Sequence, residues 1–154
     1  MELDRIDLKI LNKLRQNAKI SNQDLAEAVG LSTTPCARRV KLLEDRGVIK
    51  RYVALIDAEA MQIDLMVFVS IEMDRHTQDR FTEFEQKVSQ MPEVVGCHMV
   101  TGQSADFLLK VLVKDMKHYE QILLGELTKI KGVKGVHSSF ALRNVLGSVE
   151  VPLE

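Results

Sequence analysis

The stretch SNQDLAEAVGLSTTPCARRVKLLEDRG, residues 21–47, decides how the first third of the chain folds. Ser21 stands where a helix N-cap belongs, with Asp24 three residues on as a carboxylate form of the capping box. Leu25, Ala28 and Val29 give a short apolar face, and Gly30 ends a helix of about two turns. Gly30-Leu31 then forms a turn, Ser32 caps again, and a further helix is expected to run to about Arg46, stopped by Gly47. Within it Cys36, Val40 and Leu43 fall at i, i+4 and i+7 and should face a core, while Pro35 is tolerated in the first turn, where no N–H partner is lost. Upstream, Ile6, Leu8, Ile10, Leu11 and Leu14 recur at helical spacing behind Asp4, so a first helix ends near Gln16-Asn17. Three helices with a glycine turn between the second and third make a helix-turn-helix.

The face of the third helix turned away from that core carries Thr33, Thr34, Arg38 and Lys41. Short hydroxyls at a helix N-terminus, with cations one to two turns later, suit entry into the major groove of double-stranded DNA. Ser32 and Arg39 join them as candidate contacts, and Lys50 and Arg51 beyond the helix are placed to meet the phosphate backbone. A plainer reading makes Arg38, Arg39 and Lys41 a solvated face pairing with Glu44 or Asp45. Arg39 lies nearest the core face, where a structural ion pair explains it as well as DNA does. Charge favours the DNA reading: residues 1–51 hold 11 Lys and Arg against 7 Asp and Glu, net +4, whereas residues 52–154 hold 10 against 15, net −5. The alternation over residues 48–55 is enough for a strand pair or wing.

The other two thirds have a different period. Leu65, Val67, Val69, Ile71 and Met73 mark one face of a strand, followed by an amphipathic helix on Phe81, Phe84, Val88 and Met91 that Pro92 closes. Residues 94–101 and 106–114 read as two more strands, residues 116–130 as a helix carrying Tyr119, Leu123 and Leu127, and residues 133–142 as a fourth strand. The two halves echo each other in Val94-x-Gly96-x-His98 and Val133-x-Gly135-x-His137. The order β-α-β-β-α-β with that repeat predicts a ferredoxin-like split βαβ fold, and the whole chain is α+β. Such a sheet has helices on one side only, so Met66, Phe68, Leu108 and Leu112 on the other side need a cover, most simply a second subunit. The domains are then residues 1–51 for the head, 52–63 for a hinge strand and linker, and 64–154 for the body.

Several of these segments resemble the Lrp/AsnC family, the leucine-responsive or feast/famine regulators. The resemblance runs over essentially the whole chain, through Leu3-Asp4-Arg5-Ile6-Asp7, Gly30-Leu31-Ser32, Thr34-Pro35-Cys36-Ala37-Arg38-Arg39-Val40 and Leu43-Glu44-Asp45-Arg46-Gly47-Val48-Ile49. It continues through Cys97-His98-Met99-Val100-Thr101-Gly102, Ala105-Asp106-Phe107-Leu108-Leu109 and Ser139-Phe140-Ala141-Leu142-Arg143. It implies a winged helix-turn-helix joined by a hinge strand to an effector-binding domain, homodimers that assemble into octamers, and an amino acid or related small metabolite as effector. The effector residues so implied are Met99 and the loop of Thr101, Gly102, Gln103, Ser104, Ala105 and Asp106. A glycine with neighbouring backbone N–H groups can seat a carboxylate, and Asp106 can meet an ammonium group. The family more often has two residues between this glycine and the aspartate, whereas Gln103-Ser104-Ala105 make three here, so the effector's identity is not carried over.

Other functions find less support. No catalytic residues are visible: the chain has no nucleophile–base pair, phosphate loop or cofactor motif. Cys36 and Cys97 form no C-x-x-C pair, and His98 and His137 stand at equivalent strand positions without metal-ligand spacing, so no metal is expected. An RNA-binding sheet needs exposed aromatics, and the strands offer only Phe68, Phe107 and Phe140 among apolar neighbours. An effector-independent architectural DNA-binding protein is the main alternative. The apolar runs have strand length and the N-terminus lacks a signal-peptide pattern, so a cytoplasmic protein with no membrane partner is expected.

Overall fold

The computed structural model describes residues 3–102 and 104–145. It divides into two compact units that part between Ile56 and Asp57.

The first unit holds α1 (Arg5–Gln16), α2 (Asn22–Val29) and α3 (Thr33–Asp45). Asp4 caps α1: its Oδ1 accepts the backbone N–H groups of Ile6 and Asp7, both at 2.8 Å, while Asp7 Oδ2 accepts the Asp4 N–H at 3.2 Å. Ser21 Oγ accepts the Asp24 N–H at 3.0 Å at the start of α2. Gly30 ends α2 in the left-handed region, φ 76°, a conformation that glycine adopts without steric cost, and this lets the chain turn directly into α3. Ile10, Leu25, Ala26, Val29, Cys36 and Leu43 close the core of this head, with Val40 packed against it.

Residues 48–57 do not form the expected strand pair or hinge strand within this chain. Val48 and Ile49 lie in a bend and residues 50–57 have no regular structure; a strand needs a neighbour to take its N–H and C=O groups, and Val53, Leu55 and Ile56 are 61%, 81% and 71% exposed. A 3₁₀ turn, Glu59–Met61, opens the second unit.

That unit is built from β1 (Leu65–Met73), α4 (Gln78–Val88), β2 (Val94–Met99), β3 (Phe107–Val113), α5 (Met116–Gly125) and β4 (Val133–Phe140). The strands lie in the order β2-β3-β1-β4 with every pair antiparallel, which is the ferredoxin-like arrangement. Val67, Val69, Ile71 and Met73 alternate with more exposed neighbours and share a core with Phe84, Val88, Met91, Phe107, Leu109, Val111, Tyr119, Ile122 and Leu127. The opposite sheet face brings Met66 beside Leu112, Phe68 beside Lys110 and Ser70 beside Leu108, and leaves all of them partly exposed. The second helix is shorter than its periodicity suggests. It ends at Gly125, and Leu127–Lys129 forms a separate 3₁₀ turn that still buries Leu127 completely. Glycine is a weak helix former, and burial of Leu127 is satisfied by either geometry.

Candidate nucleic-acid interface and effector loop

The outer face of α3 presents Thr33, Thr34, Arg38 and Lys41 to solvent. Ser32 occupies the N-cap position of α3, yet its side chain makes no capping hydrogen bond, contrary to the cap expected of it. The first N–H groups of α3 are therefore left without side-chain acceptors from this residue, and the positive end of the helix is open to an anion. Among the described residues Arg38 and Lys41 form no ion pair, and neither Glu44 nor Asp45 pairs with them. Glu44 instead accepts the Tyr52 hydroxyl at 2.7 Å, which ties the start of the interdomain segment to α3. Burial and the adjacent carboxylate push the Tyr52 phenol up to about 12.

Arg39, partly exposed, reaches towards α1. Its Nη1 lies 2.5 Å from Asp4 Oδ2 and 2.8 Å from Asp7 Oδ1, so both capping carboxylates are joined to the middle of α3. Arg46 was not anticipated as a surface cation of this face. With Asp4, Asp7, Thr34, Arg38, Arg39 and Leu42 it lines a hollow of about 460 Å³, and its signal in the sequence is the i, i+4, i+8 series Arg38, Leu42, Arg46. Lys50 and Arg51 are exposed beyond the end of α3.

The Asp4 carboxyl is held below its ordinary value of 3.8, first by the Asp7 N–H and then by the Arg39 guanidinium. A lowered carboxyl contributes stability that is fully present above 3.8 and is lost as pH falls through the lower value of the folded state. Asp4→Asn keeps an oxygen for the cap but has no charge to titrate. Thermal unfolding of the two full chains, compared at neutral pH and at about pH 3, should show a smaller acid-induced loss in the variant. An equal loss would mean that the Asp4 charge does not stabilise the head.

In the second unit the expected effector loop joins β2 to β3. Val100 N–H donates to the Asp106 carbonyl at 2.9 Å and Asp106 N–H to the Ile71 carbonyl at 2.8 Å, which closes the loop against the central strand. Gly102 has φ 95° with open space where a Cβ would stand; Thr101, Gly102 and Ser104 are exposed, and Gln103 lies outside the described residues. The Asp106 carboxylate does not hang free. Its Oδ2 accepts the Met73 N–H at 2.8 Å, and its Oδ1 lies 2.9 Å from Nε2 of His76, a residue the sequence did not single out. Met99 is 56% exposed and lines a hollow of about 290 Å³ with Glu85, Val88, Val95, Cys97 and Phe107. His98 and His137 are exposed on the strands, and among the described residues no group of three His, Cys, Asp or Glu side chains is placed to hold a metal ion. Among the same residues no helix is long and apolar enough to cross a membrane.

Comparison with known proteins covers both units. Residues 3–50 match the model of a winged helix-turn-helix DNA-binding domain, and residues 66–151 match the Lrp/AsnC ligand binding domain. The chain is 43% identical over 152 residues to the Bkd operon transcriptional regulator of Pseudomonas aeruginosa, with 99% of each covered. It is 43% identical over 143 residues to the leucine-responsive regulatory protein of Haemophilus influenzae, covering 93% of this chain and 86% of that one. The crystal structure of a transcriptional regulator from Neisseria meningitidis in complex with L-methionine superposes with a TM-score of 0.94 at 36% identity, over 99% of this chain and 97% of the other.

Proposed function

The chain belongs to the Lrp/AsnC family of DNA-binding transcriptional regulators, and from that premise we propose that its head reads a specific operator through α3 while its body senses an amino acid. The observation that carries the first half is the outer face of α3, where Thr33, Thr34, Arg38 and Lys41 are exposed, without an ion pair among the described residues, next to a helix N-terminus that Ser32 does not cap. Thr33, Thr34 and Arg38 meet base edges; Ser32, Lys41, Lys50 and Arg51 meet phosphates and fix the register.

The effector seat is the loop of Thr101, Gly102, Gln103, Ser104, Ala105 and Asp106, with Met99 beside it. Gly102 offers its backbone to the amino acid's carboxylate without a side chain in the way. Asp106, anchored by the Met73 N–H, supplies the negative charge that an ammonium group requires. The methionine complex of the Neisseria relative supports an amino-acid effector. The half-exposed apolar patch of Met66, Phe68, Leu108 and Leu112 is covered by a second subunit, and such dimers assemble further into octamers. Effector binding between dimers then biases the placement of the heads, and with it the operator spacings that can be spanned together.

The test is calorimetry of the full chain with the common amino acids, followed by footprinting on a genomic duplex with and without any that bind. At least one amino acid should bind and alter the footprint. Asp106→Asn, which keeps an acceptor for the Met73 N–H but removes the charge, should weaken that binding by about tenfold or more. A footprint indifferent to every amino acid would favour the architectural reading, and full affinity in Asp106→Asn would remove Asp106 from the seat.

A further inference from the structure

Arg38 and Arg39 are adjacent in sequence, yet the head uses them differently: one is exposed and, among the described residues, forms no ion pair, while the other bridges two carboxylates at the start of another helix. The bridge spans 35 residues to Asp4 and 32 to Asp7. Both acceptors are already fixed, since Asp4 and Asp7 hold each other through the capping box that starts α1. Asp7 is buried, only 8% exposed. The two helices also share an apolar cluster that includes Ile10, Cys36 and Leu43.

Apolar burial is non-directional, so it holds two helices together without strictly fixing how far one rolls against the other. A guanidinium between two carboxylates is directional, because its N–H groups must point at particular oxygens. Successive residues are set about 100° apart around a helix, so fixing the azimuth of Arg39 fixes those of its neighbours on α3. We propose that Arg39 is a positioning residue for base discrimination: clasped by Asp4 and Asp7, it sets the roll of α3, and through it the aim of Arg38 and Thr34, without itself touching DNA. The lowered Asp4 carboxyl and the raised Arg39 guanidinium agree with a clasp that stays charged throughout the neutral range.

This rests on the reading of α3 as the helix that meets base edges. The experiment uses the full chain with two duplexes, one selected by the wild type from a random pool and one a scramble of the same length. Arg39→Gln and Asp7→Asn should each lower the ratio of selected to scrambled affinity by roughly tenfold, while affinity for the scramble and the salt dependence of binding stay at wild-type values. The double variant should fall no further than the weaker single one, since both break one clasp. Asp7→Asn still offers an oxygen to the Asp4 N–H, so it decides the matter if Arg39→Gln does not fold. Arg39→Lys, which keeps the charge but replaces the planar, fixed Nη1 donor with a rotatable ammonium, should give an intermediate ratio. A drop of about one in the salt slope for Arg39→Gln would make Arg39 a phosphate contact, and an unchanged ratio in both single variants would show that nothing is positioned; either overturns the proposal. An unchanged ratio in Arg38→Ala would sink the reading of α3 instead.

Discussion

Phe84→Ala should lower the stability of the second unit by about 3–5 kcal/mol. The side chain is completely buried at the centre of the layer between α4 and the sheet. Its ring lies 4.6 Å from that of Phe107, and Phe81 meets the same Phe107 ring edge-on at 5.3 Å. Removing it therefore leaves a cavity and also strips Phe107 of one of its two aromatic partners. Phe107 follows Asp106 directly, so this packing holds the floor of the proposed effector loop as well as the core. Urea unfolding followed by circular dichroism checks the prediction, and amino-acid calorimetry below the transition should show weakened binding in the same variant. A cost below about 1 kcal/mol would mean that the helix-side core can collapse around the gap, which a close-packed interior rarely permits.

The core of both units was legible because it is written in short-range periodicity. The alternation of Val67, Val69, Ile71 and Met73 and the helical spacing of Phe84, Val88 and Met91 each mark a buried face by themselves. Capping was legible for the same reason at Asp4 and Ser21, where the interacting residues are three apart. It failed at Ser32, because the same residue type that caps a helix is also suited to leave its hydroxyl for another partner, and spacing does not distinguish the two. The strand expected over residues 48–55 failed for a different reason. Alternation specifies a face but not a neighbour, and none of the described residues offers one.

The candidate sites were legible as segments and less so as chemistry. Thr33, Thr34, Arg38 and Lys41 were placed outward by geometry alone, and they are exposed. What the residue pattern left open was which cations are already engaged, since the partners of Arg39 lie more than thirty positions away. The pairing of Asp106 with His76 and the Met73 N–H has the same origin: β1 and β3 are neighbours in the sheet but far apart in the chain. Long-range polar contacts of this sort carry no period for a sequence reading to detect.

Arg38→Ala should weaken binding to a selected operator by about 1–3 kcal/mol, or roughly 5- to 150-fold in affinity. The side chain is exposed, and among the described residues it makes no ion pair, so its removal strands no internal partner and should leave the unfolding of the head within about 0.5 kcal/mol of wild type. That separation of binding from folding is what distinguishes it from Arg39, whose loss leaves Asp4 and Asp7 facing each other across a cap without their cation. If Arg38 meets a base, the loss should be confined to the selected sequence, and a change of the contacted base pair should cost the wild type but not the variant. If it meets only phosphate, affinity should fall alike on every duplex and the salt slope should drop by about one. Gel shift on selected and scrambled duplexes at several salt concentrations separates these outcomes. Unaltered affinity on both would move the reading surface off Arg38 and leave Lys41, Lys50 and Arg51 to account for the head's attraction to DNA.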